Sequence, residues 1–196
     1  DSVFRARVRE SAERVVRTKL RYLKAENAAP VLPDPRTAAS GIPSQDGARF
    51  FQDLAARAVT VLKDGAGLIP LAQEKAGRVF LPGQSMSFFE LGKKAFRGAS
   101  AYWYSTANDA DLLRRAAASD TIILHLSGEE GVQVLRALRP LGKRIIVLFV
   151  RSPAYLEQVP WVDAAIAVYS DSNESLVAGF SALTGRLKAQ GTRPFR

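Results

Sequence analysis

With one histidine and no cysteine in 196 residues, this chain has few side chains able to do covalent or metal chemistry. Thiolate chemistry and a disulfide framework are excluded, and a zinc cluster lacks ligands. No GxGxxG follows a strand pattern and no GxxxxGK[ST] occurs, so neither phosphate cradle is supported and no cofactor is expected. No GxSxG nucleophile elbow is present. His125 lies inside an apolar run, TIILHL, where an imidazole reads first as a core residue. What remains is a set of polar residues just past apolar runs: Ser127, Glu129 and Glu130 after one, Arg151 after the next, Asp171 and Asn173 after a third. Ligands of open α/β sheets bind in the crevice at the carboxyl ends of the strands, so these six are the candidate ligand-edge or domain-interface residues. Each also has a plainer role. Carboxylates in a first helical turn are favoured by the helix dipole, and Asp or Asn before a helix caps it.

The elements that would position them are legible between Asp120 and Arg151. Thr121–Leu126 and Ile145–Val150 are short, apolar and rich in β-branched residues, as strands buried on both faces are. Between them Val132, Leu135 and Leu138 recur at helical spacing, and Gly142 follows as a C-cap. Strand, helix, strand makes a βαβ unit with parallel strands and a right-handed crossover. Similar units flank it. Arg78–Leu81, Ser100–Tyr104 and Val162–Tyr169 read as strands. Met86–Phe96, a segment capped by Asn108 or Asp109, a short helix opened by Ser152-Pro153, and Asn173–Leu187 read as helices. The expected fold class is α/β: an open, doubly wound, mostly parallel sheet of about five strands with helices on both faces.

Upstream, Phe4, Val8, Ala12, Val15, Val16, Leu20 and Leu23 form an apolar stripe on a helix otherwise crowded with arginine and lysine. Residues 1–27 are thus an amphipathic helix, 28–45 a linker marked by Pro30, Pro33, Pro35, Gly41 and Pro43, and 46–196 the α/β domain. A second helix begins after Ser44 or Asp46, with Phe50, Phe51, Leu54, Ala55, Ala58, Val59 and Leu62 as its buried face. Asp64-Gly65 ends it. The net charge of +9 permits binding to nucleic acid or another polyanion, but an ordinary basic surface is preferred and nucleic acid is the less favoured partner. No apolar run approaches the length of a membrane span, and the first residues lack the apolar region of a signal peptide.

Several segments, in order, resemble one family. AARAVTVLKDGAGLIPL is similar to the AA-x-S-[IV]-x-LLKN-x-x-x-LLPL signature that enters the C-terminal domain of family 3 glycoside hydrolases, and RVFLPG to the strand after it. DTIILHLSGEEGVQVLRAL, GKRIIVLFVRSPAYL, the strand Val162–Tyr169 and LVAGFSALTGRLKAQGTRPF resemble successive later blocks of that domain. ERVVRTKLRYL resembles the last helix before its linker. Length and detail resemble the bacterial β-N-acetylhexosaminidase branch, with cytoplasm and cell envelope both open. The resemblance implies a non-catalytic domain bracing or lining a sugar site, such as one for N-acetylglucosamine-containing peptidoglycan fragments. The family's nucleophilic aspartate, in a loop resembling GxxxSD, and that branch's histidine–aspartate acid/base pair both lie on an N-terminal (β/α)8 barrel not found here. In the β-glucosidase branch the acid is a glutamate on the loop after the strand Thr121–Leu126. Only GEEGVQ separates that strand from its helix here, so the insertion carrying the glutamate is missing. Retaining hydrolysis needs two carboxyl groups about 5–5.5 Å apart, and nothing in the sequence presents such a pair. The chain alone is therefore expected to be inactive, with the barrel as its partner and a carbohydrate as its ligand. A standalone carbohydrate- or protein-binding module is the alternative. The apolar stripe of the first helix is expected either to fold back or, preferentially, to dock on a second copy.

Overall fold

The computed structural model describes residues 1–24, 26, 28, 32, 34–36, 44–107 and 109–193. They fall in two compact units, Asp1–Gly47 and Ala48–Arg196. Most of the proline-marked linker (Pro30, Pro33, Gly41 and Pro43), Asn108 and the last residues, 194–196, lie outside the described set.

In the first unit, helix α1 spans Ser2–Leu23. Asp1 caps it by accepting from the Val3 and Phe4 amides, which satisfies two of the four orphan donors of a helix start. Its apolar stripe is exposed: Phe4, Val8, Val15, Leu20 and Leu23 keep about half or more of their surface.

The second unit is a single six-stranded sheet between two helical layers. In chain order it contains α2 (Gln45–Ala58, its first residues in the first unit), β1 (Thr60–Asp64), α3 (Gln73–Ala76), β2 (Val79–Gly83) and α4 (Met86–Ala95). Then come β3 (Ser100–Trp103), α5 (Ala110–Ala117), β4 (Thr121–Leu126), α6 (Glu129–Leu138), β5 (Arg144–Phe149), β6 (Ala164–Ala167) and α7 (Asn173–Leu183). The strand order is β1-β6-β5-β4-β2-β3. All neighbours are parallel except β1, which runs antiparallel to β6. Strands β4 and β5 pair over their full length, from Thr121 opposite Arg144 to Leu126 opposite Phe149, and both are buried almost throughout.

The expected five strands are thus six. The addition is Thr60–Asp64, which the sequence reading ran into the preceding helix. Helix α2 stops at Ala58, where Val59, Thr60 and Val61 bring three β-branched residues together and favour extended backbone. The buried face assigned to that helix is corrected with it. Ala55 and Val59 are buried, but Phe50, Phe51 and Leu54 remain 60%, 58% and 50% exposed. The closing helix ends at Leu183 and not Leu187, because Gly185 at φ 78° turns the chain away.

Alternation along the strands divides the core. Ile123, Ile146, Leu148 and Ile166 face a layer made by α4 and α7, with Phe88 and Phe180. Ile122, Leu124, Leu126, Val147 and Phe149 face the other layer, with Leu112 of α5 and Val132, Leu135 and Leu138 of α6. At roughly 1.5–3 kcal/mol for each large buried apolar side chain, these two faces are the main source of the fold's stability. The amino-terminal edge of the sheet is tied by Asp120, which accepts from the Arg78 amide at 2.8 Å and from its guanidinium. Those bonds hold the Asp120 carboxyl at about 2.

Candidate functional site

The order of the parallel strands reverses between β2 and β4. The chain passes from β2 outward to β3, then returns across β2 to place β4 on its other side. In open α/β sheets the loops at such a switch point diverge and leave a crevice at the carboxyl ends of the strands. Gln84 leaves β2 there and Ser127 leaves β4, and a hydrogen-bond network joins them. The Ser127 hydroxyl donates to Gln84 Oε1 at 3.3 Å, and Gln84 Nε2 donates to Glu130 Oε2 at 2.9 Å. Gln84 Nε2 also reaches the Tyr104 carbonyl at 3.4 Å. Tyr104, just past β3, is buried and donates its hydroxyl to the His125 carbonyl. Burial first, and the nearby Glu130 charge second, push its phenol well above the ordinary range, so it acts as a neutral donor.

Of the sequence candidates, Ser127 is half-buried at the crevice floor, while Glu129 and Glu130 are exposed in the first turn of α6. Glu129 accepts from Gln133 Nε2 at 3.0 Å and from Gln158 Nε2 at 3.4 Å, so it faces the α6 side of the sheet and not the network of Glu130. Arg151 is exposed just past β5, and no hydrogen bond or ion pair of its side chain occurs among the described residues. Asp171 and Asn173 are exposed beside the start of α7. Neither caps it. Ser172 does, by accepting from the Ser175 amide.

Asp171 instead has a partner that the sequence reading did not give it. His125 Nε2 stands 2.9 Å from Asp171 Oδ1. The ring is 1% exposed and packs 5.2 Å from the Phe88 ring, as a core histidine would. It also reaches across β5 to a carboxylate at the sheet edge. His125 pairs with Leu148, and Leu148 with Ile166. At about 4.8 Å per strand spacing, the loop after β6 must therefore travel back roughly 10 Å to meet it. Tyr169, in that loop, is the one non-glycine residue at positive φ (59°) among the described residues, and its hydroxyl bonds Thr60 Oγ1 of β1 on the other side of β6. Burial draws the His125 pKa down, and the Asp171 carboxylate opposes it only in part. The neutral ring then carries its proton on Nε2, facing the carboxylate. The buried Nδ1, which has no hydrogen-bond partner, keeps a lone pair; the other tautomer would strand a buried N–H and turn a lone pair toward a carboxylate.

A groove of 610 Å³ lies between α2, the end of β6 and the start of α7, lined by Phe51, Leu54, Tyr169 and Ser175 among others. Among the described residues no group of three histidine, aspartate or glutamate side chains is arranged to hold a metal ion, and no helix is long and apolar enough to cross a membrane.

No family model and no curated protein matches the sequence. Solved structures do match the fold. A family 3 β-N-acetylglucosaminidase from Paenibacillus sp. str. FPU-7 superposes over 95% of this chain with TM-score 0.66 at 16% identity. A fungal multi-domain β-N-acetylglucosaminidase of the same family, which also has a GCN5-related glucosamine N-acetyltransferase region, superposes over 80% with TM-score 0.66 at 20% identity. The β-glucoside phosphorylase BglX does so over 89% with TM-score 0.62 at 19% identity. The fold is that of a domain of family 3 glycoside hydrolases. The chain spans 39%, 19% and 35% of those three chains, so it is similar to one part of each. The resemblance carried by the sequence segments is met by the three-dimensional arrangement.

Proposed function

We propose that this chain is the non-catalytic α/β domain of a family 3 β-N-acetylhexosaminidase-like enzyme, lining or bracing a sugar site whose catalytic groups belong to a barrel. The observation that carries this is the fold shared with only a fraction of each hydrolase. The two similar β-N-acetylglucosaminidases support N-acetylglucosamine-containing glycans as the ligand class. The crevice fits a supporting role. Gln84 and the short turn Ser127-Gly128 replace any long loop after β4, and Glu129, Glu130 and Asp171 are each engaged by a side-chain donor. Such groups bind hydroxyls well but lack the free, closely opposed carboxyl pair of a glycosidase. The apolar stripe of α1 would pack on the barrel or on a second copy of the chain.

The test uses the purified chain. It should not hydrolyse an aryl N-acetylglucosaminide, and millimolar N-acetylglucosamine should shift the amide resonances of Gln84, Ser127 and Glu130. Turnover that disappears with Glu129→Gln or Glu130→Gln would make the chain an enzyme in its own right. A titration that leaves the crevice amides unmoved would remove the sugar-lining role.

A further inference from the structure

Position 125 is an anomaly in its strand. From Ile122 to Leu126 every other side chain is aliphatic and fully buried, and His125 shares that burial while leaving Nδ1 without a partner. A leucine there would bury as much apolar surface and orphan no polar atom. The imidazole therefore carries a desolvation cost that a leucine would not, set against its one bond to Asp171. What the sheet gains is direction: one N–H, fixed by the packing of Phe88 and the close approach of Gly83, aimed at one oxygen of Asp171. Asp171 is 45% exposed in its side chain. Its Oδ2 accepts no hydrogen bond among the described residues, while Oδ1 is held 2.9 Å from His125 Nε2. An exposed aspartate ordinarily samples several rotamers; this one is held in place from below.

We propose that Asp171 is a fixed hydroxyl acceptor at the carboxyl-terminal edge of the sheet and that His125 is its positioning residue, so that the free carboxylate oxygen takes hydrogen bonds from ring hydroxyls of a sugar. This rests on the sugar-lining reading given above. A charged acceptor already held in its bound geometry loses little freedom on binding, which is the advantage an orphaned buried nitrogen would otherwise lack. The pair is distinct in role from an acid/base dyad: the histidine is sealed beneath the aspartate and cannot meet a substrate.

The experiment is a nuclear magnetic resonance titration of the full chain with methyl β-N-acetylglucosaminide, following the amides of Ser127 and Asp171 and the imidazole nitrogens of His125, with a urea melt of each variant. In the parent the Asp171 amide and His125 Nε2 should shift together with Ser127. Asp171→Ala should weaken binding about tenfold, the loss of one charge-assisted hydrogen bond. His125→Leu should be at least as stable in urea yet bind as weakly as Asp171→Ala, and His125→Gln, which keeps a donor, should recover part of the affinity. Stability and binding moving in opposite directions is an outcome that a purely structural histidine would not produce. If Ser127 still shifts but Asp171→Ala binds like the parent, this inference is wrong and the sugar-lining reading stands. If no amide shifts, both fall.

Discussion

A histidine buried in an apolar strand must be neutral to be tolerated, and this makes His125 a source of acid sensitivity. In the unfolded chain it takes up a proton near its ordinary 6.5, whereas in the fold burial resists that proton. Below about 6.5 the unfolded state binds more protons, so stability is complete above this pH and declines as pH falls through the window below it. The urea midpoint of the parent should therefore drop more between about pH 7.5 and about pH 5.5 than that of His125→Gln. Equal drops would show that the ring does not titrate differently on folding. Residue-scale packing gives a second prediction. A methyl added at Gly179 in α7 would stand 2.6 Å from Cγ1 of Val168 and 3.3 Å from Leu148. Val168 is β-branched and cannot swing clear. Gly179→Ala should thus cost about 1–3 kcal/mol by overpacking, despite alanine's higher helix propensity. Gly128→Ala meets nothing within 4 Å and should be close to neutral in the same urea melts.

Among the elements, legibility followed burial. Strands β4 and β5 announce themselves because both faces are covered, so they read as nearly continuous apolar runs too short for a helix. Strand β1 was missed because its burial fades along its length and its residues continue the pattern of α2 without a glycine or proline between them. The helix caps were visible as residue types, but which neighbour would cap was not: Ser172 won over Asp171 because Asp171 is held elsewhere. That bond itself joins residues 46 positions apart, a distance at which no local pattern exists. Fully covered strands should also exchange their amides last. Hydrogen exchange is expected to show β4 and β5 opening only with the whole domain, and β1 and β3 at the sheet edges exchanging earlier. Edge amides as protected as those of β4 would contradict this.

For the whole molecule, α1 is the unresolved obligation. A helix of 22 residues is marginal in water unless its apolar face is covered, and Phe4, Val8, Leu20 and Leu23 are large enough to drive association. Sedimentation across a range of concentrations should show self-association of the full chain that disappears when the residues before Ala28 are removed. A concentration-independent monomer with α1 protected from hydrogen exchange would rule out docking on a second copy and leave the helix folded back. The proposed division of labour, with chemistry on a barrel and support from this domain, makes a stable α/β sheet that can hold a few polar groups still more useful here than a reactive one.

The antiparallel edge strand has a consequence in time. Tyr169, just past β6, meets Thr60 of β1 across 109 positions of chain, and among the described residues β1 has no ladder besides the pairing of Thr60–Asp64 with Ala164–Ala167. On a ribosome at about 5–20 residues per second, β1 waits roughly 5–20 s for its partner to be made. During that interval Val59, Thr60 and Val61 are an unpaired, β-prone stretch on a nascent chain, and the sheet can close at this edge only after its last strand has emerged. Slower translation of the final third of the chain would lengthen that exposure of an unpaired strand edge.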